Sequence, residues 1–210
     1  MTVKAIFFDL DGVLVDAVDL HRQAFSQAVQ EVAGVEITKE EHNFQFDGLP
    51  TRVKLEQLAR SGRVPWDLLH VVNRRKQELT QVLAQGIIRP DPVKLEMVCA
   101  LKERYPLAVV SNCIADTVKI LLGLARLYEY FGFTVSNEDV KLSKPSPDPY
   151  LFALKKVKLP CMDTLAIEDN PRGVRAALSA GVPVLRVEYP DLNLSWLNER
   201  ILKLDRGASC

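Results

Sequence analysis

No two cysteines of this chain stand in a C-x-x-C pair; Cys99, Cys113, Cys161 and Cys210 are scattered singly. That spacing excludes zinc-ribbon and thioredoxin-like sites and leaves reduced, buried or incidental thiols. An excess of either charge is also missing, with 27 basic against 27 acidic side chains. Nothing therefore draws the whole chain to nucleic acid or to an anionic membrane. The one basic cluster, Arg74-Arg75-Lys76, lacks a wider stripe and aromatic platforms and reads by itself as a solvated helix face. Long apolar runs are absent too: the first, from Val3, ends after a few residues on aspartates. It is neither a secretory signal nor a membrane span, so the expectation is a cytoplasmic protein with no membrane partner. Internal repeats and low-complexity linkers do not occur. Small-molecule chemistry is what these absences leave.

What is present is a hydrophobic content of 48%, ample for a packed interior. Short apolar runs flanked by turn residues occur at Val3 to Phe8, Leu107 to Val110, Phe133 to Val135, Leu165 to Ile167 and Val182 to Val187. Such runs suit strands buried on both faces of a parallel sheet. Helical patterns separate most of them, and Asp91-Pro92 and Asn170-Pro171 each read as an N-cap followed by proline at the first helical position. The alternation predicts an α/β fold, a Rossmann-like parallel sheet flanked by helices. Between the first two strands lie about a hundred residues, far more than one crossover helix needs, and their patterns are all helical. Val18, His21, Phe25, Ala28, Val29 and Val32 recur at helical spacing before Gly34, as do Leu69, Val72, Lys76, Leu79 and Leu83 later. The expected organisation is a core of residues 1–15 and 89–210 with a helical insert over 16–88.

The chemistry begins where the first strand ends, at Asp9-Leu10-Asp11-Gly12. Aspartate and glycine are ordinary turn formers. Paired carboxylates at a strand's C-terminal end, however, also stand where open parallel sheets hold ligands, and they suit a nucleophile or a hard cation. A calcium loop is excluded because Val13 occupies the position of the next oxygen ligand. Three later strand ends carry polar groups of a matching kind. Ser111-Asn112 follows the second strand, where the hydroxyl either donates to a phosphoryl oxygen or caps a turn. Lys144 lies past the third strand beside Pro145, Pro147 and Pro149, either solvated or held as a fixed positive charge. Glu168-Asp169-Asn170 follows the fourth; helix N-termini favour acids by under about 1 kcal/mol, whereas a cation shared with Asp9 accounts for two in succession.

These four stretches, Asp9-Leu10-Asp11-Gly12-Val13-Leu14, Ser111-Asn112, Lys144-Pro145 and Glu168-Asp169-Asn170, taken in this order, resemble the haloacid dehalogenase-like superfamily. The likeness spans nearly the whole chain and is to phosphatases and phosphomutases with a helical cap inserted after the first strand. The resemblance implies that Asp9 attacks phosphorus and that Asp11 is the general acid and base. It implies that Ser111, Asn112 and Lys144 form the phosphate site. It also implies a Mg2+ cofactor ligated by Asp9, the Asp11 backbone carbonyl and Asp169, with Glu168 ligating directly or through water.

Within the insert, Asp16-Ala17-Val18-Asp19-Leu20-His21 resembles the cap entry of beta-phosphoglucomutase-like members, which makes His21 a candidate substrate or proton-relay residue. A histidine among apolar neighbours at helical spacing is otherwise a packing residue. Ala17 departs from the hydroxyl residue common there. Gly48-Leu49-Pro50-Thr51-Arg52 resembles the cap specificity loop, with Gly48, Arg52 and Lys76 as further substrate candidates. The expected activity is a magnesium-dependent phosphohydrolase acting on a small phosphorylated metabolite: a sugar phosphate, phosphoglycolate-like acid or nucleotide. The alternatives are a phosphomutase and a non-enzymatic scaffold that retains the fold. A dehalogenase does not need Asp11 and Asp169, and a phosphorylatable signalling module carries its acceptor on a middle strand. Monomer or weak homodimer is the expected assembly.

Overall fold

Ala5, Ile6, Phe7 and Phe8 expose no surface, so the strand they form is covered on both faces, as its uninterrupted apolar sequence requires. The computed structural model describes residues 2–206, and Cys210 lies outside them. The chain runs β1 (Ala5–Phe8), α1 (Val18–Ala33), α2 (Lys39–Glu41), α3 (Thr51–Arg60), α4 (Leu69–Ile87), α5 (Pro92–Lys102), β2 (Leu107–Val110), α6 (Ala115–Leu124), β3 (Phe133–Val135), α7 (Asp148–Val157), β4 (Thr164–Glu168), α8 (Pro171–Ser179), β5 (Val184–Arg186) and α9 (Leu194–Asp205). The strands form one sheet in the order β3-β2-β1-β4-β5, and every pairing is parallel. Parallel order brings all C-terminal strand ends to one edge, with β1 at the centre. Ala5 and Phe7 pack with Tyr150 and Ala153 of α7 and Ala176 and Ala177 of α8; Ile6 and Phe8, alternating with them, face the other side.

The Val3 to Phe8 and Val182 to Val187 runs extend beyond the strands they contain, and β4 is longer than Leu165 to Ile167. Both expected caps form: Asp91 accepts from Val93 N at 2.9 Å and Asn170 from Arg172 N at 3.0 Å. The described cysteines are free. Cys99 is exposed and Cys113 and Cys161 are half-buried, so none of these three is the core thiol the sequence allowed. No helix among the described residues is long and apolar enough to cross a membrane.

The chain divides into two compact units, one running up to Asp16 and again from Arg89, the other Ala17–Ile88. The second has its own core, in which Ala24, Phe25, Ala28 and Val29 of α1 meet Leu55 and Leu58 of α3 and Val72 and Leu79 of α4. Gly34 ends α1 at φ 67°, a left-handed conformation that glycine adopts without strain. Two details depart from the sequence pattern. Val18 is 40% exposed because the buried stripe of α1 begins at Leu20. Lys76 belongs to no solvated face: it is 6% exposed, and its ammonium donates to His21 Nδ1 at 3.3 Å. Arg75 does lie outside, bonded to Glu31 and Glu78.

A similar pair joins Lys54 to His42, whose Nε2 accepts at 3.1 Å; both side chains are buried. Because an ammonium only donates, His42 is neutral with its proton on Nδ1. Burial first, then Lys54, Arg22 and His21, push its pKa from 6.5 to about 3. The unfolded chain therefore binds a proton that the folded one refuses as pH falls from about 6.5 towards 3, and folding stability must drop across that window. Urea unfolding of the wild type and of His42→Gln between pH 7 and pH 4 checks this: the variant should show the shallower decline.

Candidate active site

The turn that follows β1 is closed by its own main chain. Gly12 N donates to Val15 O at 2.8 Å and Leu14 N to Leu10 O at 2.9 Å, and Gly12 sits at φ 77°, where a side chain would be strained. Turn chemistry thus accounts for Gly12, yet it leaves both aspartates of the motif to be explained by what surrounds them. Asp9 N donates to Ile167 O at 2.9 Å, carrying the β1–β4 pairing one residue past the strand. That bond brings Asp9 beside Glu168 and Asp169.

Lys144 is the hub. Its ammonium is 4% exposed and donates to Asp9 Oδ1 at 2.8 Å, to Glu168 Oε1 at 2.6 Å and to Val110 O at 2.6 Å. Three acceptors match its three protons. Asn112 aims it: the side-chain amide donates to Lys144 O at 3.1 Å and accepts from Lys144 N at 3.0 Å. Asn112, expected among the phosphate contacts, thus uses its side chain to position Lys144. Ser111 is 1% exposed, and its Oγ accepts from Cys113 N at 3.0 Å. The serine is in a turn and still has a hydroxyl proton to donate, so the two sequence readings of it are compatible.

Electrostatics show what this cluster lacks. Oxygens of Asp9, Glu168 and Asp169 lie within 4.8 Å of one another, and Lys144 is the ammonium that two of the three carboxylates share. Burial first, then the Asp9 charge, raise Glu168 to about 8 and Asp169 to about 7. Burial likewise raises Asp9, with Lys144 opposing and Asp11 adding to the rise. For Lys144, burial lowers the pKa, but Asp9 and Glu168 outweigh it and hold the ammonium firmly charged. Glu168 Oε2 and Asp169 Oδ1 are buried with no hydrogen-bond partner. Leaving such oxygens unsatisfied is costly. A hard divalent cation with oxygen ligands removes both the excess negative charge and the orphaned atoms, so the donor set fits magnesium.

Several participants were not singled out by sequence reasoning. The Tyr150 hydroxyl donates to Glu168 Oε1, and Cys113 Sγ lies 3.2 Å from Asp11 Oδ2. Gly173 of α8 is required by packing: a Cβ there would stand 2.0 Å from Glu168 Oε2. Its place in the first turn of α8, just past the Asn170 cap, is the one signal that could have found it.

In the helical unit, His21 and Lys76 form the pair described above. Gly48 turns the chain at φ 68° before α3, and Arg52, exposed on α3, bonds Glu56 at 3.2 Å.

The family described as haloacid dehalogenase-like hydrolase matches residues 6–187. A phosphorylated carbohydrates phosphatase of Thermotoga maritima is 28% identical over 180 residues, covering 86% of this chain and 82% of that protein. CbbY from Rhodobacter sphaeroides, solved in complex with phosphate, superposes with a TM-score of 0.77 at 25% identity, covering 92% of this chain and 91% of the other. A mutant of that same protein, solved with xylulose-(1,5)bisphosphate, matches equally well. The fold is also that of a beta-phosphoglucomutase from Clostridium difficile, with a TM-score of 0.79, 18% identity and coverage of 98% and 100%.

Gly173→Ala tests the packing of the acid pair. The added methyl displaces the Glu168 carboxylate, and overpacking of this kind costs about 1–3 kcal/mol. Thermal unfolding should register that loss, and isothermal titration with MgCl2 should show weaker binding than in the wild type.

Proposed function

We propose that this chain, which belongs to the haloacid dehalogenase-like hydrolase family, is a magnesium-dependent phosphohydrolase that acts on a small phosphomonoester through an aspartyl-phosphate on Asp9. The observation that carries the reading is the shared ammonium. Lys144 holds Asp9 and Glu168 at 2.8 and 2.6 Å, while buried oxygens of Glu168 and Asp169 have no partner.

The chain's own groups supply each step. Lys144 opposes the rise that burial imposes on the Asp9 pKa and fixes one of its oxygens, leaving the other to bond phosphorus. As that bond forms, the ester P–O bond breaks and Asp11 gives its proton to the leaving alkoxide. Asp11, now ionised, takes a proton from water. The water oxygen bonds phosphorus, the P–O bond to Asp9 breaks, and inorganic phosphate leaves with the carboxylate restored. Ser111 donates its hydroxyl proton to a phosphoryl oxygen throughout. Asp9, the Asp11 carbonyl, Asp169 and Glu168 would hold magnesium, which when bound would neutralise phosphoryl charge. Positioning and charge neutralisation dominate such a reaction, because phosphate monoesters hydrolyse extremely slowly without a catalyst.

The helical unit serves in this reading as the cap that selects the substrate. His21, with its Nδ1 bonded to Lys76, is a donor through Nε2 for an oxygen-rich ligand, and Gly48 and Arg52 belong to the specificity loop. The names of the matched proteins, a phosphorylated carbohydrates phosphatase and a CbbY solved with a sugar bisphosphate, favour a phosphorylated sugar among the possible metabolites.

Phosphate release from a panel of sugar phosphates, phosphoglycolate and nucleotides tests the proposal. Turnover should require MgCl2 and vanish with chelator, and Asp9→Asn should lose about 10³-fold or more. Full activity in that variant sinks the mechanism. With a hexose 1-phosphate, release of inorganic phosphate supports the hydrolase, whereas isomer formation stimulated by a bisphosphate makes the enzyme a mutase.

A further inference from the structure

Lys94, in the first turn of α5, has no exposed surface, a rare place for an ammonium. Its partners are the carbonyl oxygens of Pro190, at 3.0 Å, and Leu192, and its charge stands 5.0 Å from the centre of the Tyr189 ring. Burial lowers its pKa, and Asp91 and Asp191 offset only part of that. A buried cation carries a desolvation penalty that an apolar side chain of similar volume does not. Packing alone therefore does not explain a lysine here.

Its position in the chain does. Lys94 follows within one turn the segment Arg89–Asp91, by which the chain returns from the helical unit. The carbonyls it holds lie on the loop leaving β5. That loop begins at Val187, whose N donates to Glu168 O at 2.8 Å, and Arg186 Nε donates to Asp169 O at 3.2 Å. Tyr189, in the same loop, places its hydroxyl 3.5 Å from Asp91 Oδ2. Burial, Asp91 and then Asp16 raise its pKa. One loop thus touches the returning connector at one end and the main chain of the acid pair at the other.

We infer that Lys94 is a positioning residue that ties the Arg89–Asp91 connector, through the loop leaving β5, to Glu168 and Asp169. Displacement of the connector is thereby felt at the acid pair. The importance of that pair rests on the function proposed above; the tie itself does not.

Hydrogen exchange on the full chain, with and without MgCl2, separates the two, using Lys94→Met and Lys94→Gln. Lys94→Met removes a buried charge but leaves two carbonyls without their donor, so the melting temperature should change little. Exchange should accelerate about 10-fold or more in segments 93–95, whose Val93 and Leu95 amides bond to Asp91, and 187–193 while β1 and β2 stay protected. The MgCl2 concentration for half-maximal phosphate release should rise about 3-fold or more, with a smaller change in kcat at saturating MgCl2. Lys94→Gln, which keeps a donor for one carbonyl, should fall between. Unchanged exchange in both segments overturns the inference, and so does acceleration spread over the whole chain with a lowered melting temperature. If the wild type releases no phosphate from any substrate, the proposed function fails, and the exchange data still decide the tie.

Discussion

One ammonium organises the C-terminal edge of the sheet. Asp9 and Glu168 come from strands paired side by side, and burial would drive both towards the neutral form. The Lys144 charge between them is what allows carboxylates to be carried into a nearly solvent-free pocket. Everything nearby serves that placement: Asn112 holds the Lys144 main chain from both sides, Val110 O takes the third proton, and Tyr150 satisfies the same Glu168 oxygen. Removing the ammonium would leave acids buried beside one another with no counter-charge, a far larger penalty than the pair's net contribution.

The same cluster is deliberately incomplete as a protein structure. A core optimised for stability would leave no carboxylate oxygen without a partner, yet Glu168 Oε2 and Asp169 Oδ1 have none. Unsatisfied acids of raised pKa fit the metal site proposed above. The sheet supplies the rigidity this requires, because β1 and β4 are buried throughout and hold Asp9 and Glu168 in fixed register. The helical unit shows a different economy: two lysines are buried against histidines, Lys54 with His42 and Lys76 with His21. Such pairs make its interior basic where the other unit's centre is acidic.

Much of the fold was legible along the chain. Short apolar runs between turn residues announced all five strands, and Asp91-Pro92 and Asn170-Pro171 announced two helix starts, because strand burial and helix capping are decided by near neighbours. Asp9, Asp11, Ser111, Glu168 and Asp169 were legible for the same reason, each lying at or just past a strand's C-terminal end. Periodicity misled at Val18, which fits the apolar stripe and is exposed, whereas at Lys76 it was the basic run that misled: the residue is on the stripe and is buried.

The sequence by itself determined which groups stand at the sheet's C-terminal edge: Asp9, Asp11, Ser111, Glu168 and Asp169, each at or just past the end of its strand. Only the tertiary structure decided how they are charged and who holds whom. Lys144 reaches Asp9 across 135 positions of chain, Gly173 makes room for Glu168, and Lys94 grips a loop nearly a hundred residues away. The division has a physical cause. Backbone propensity and turn chemistry act over a few residues, whereas desolvation and charge pairing depend on what surrounds a group in space, which exists only once the chain has folded.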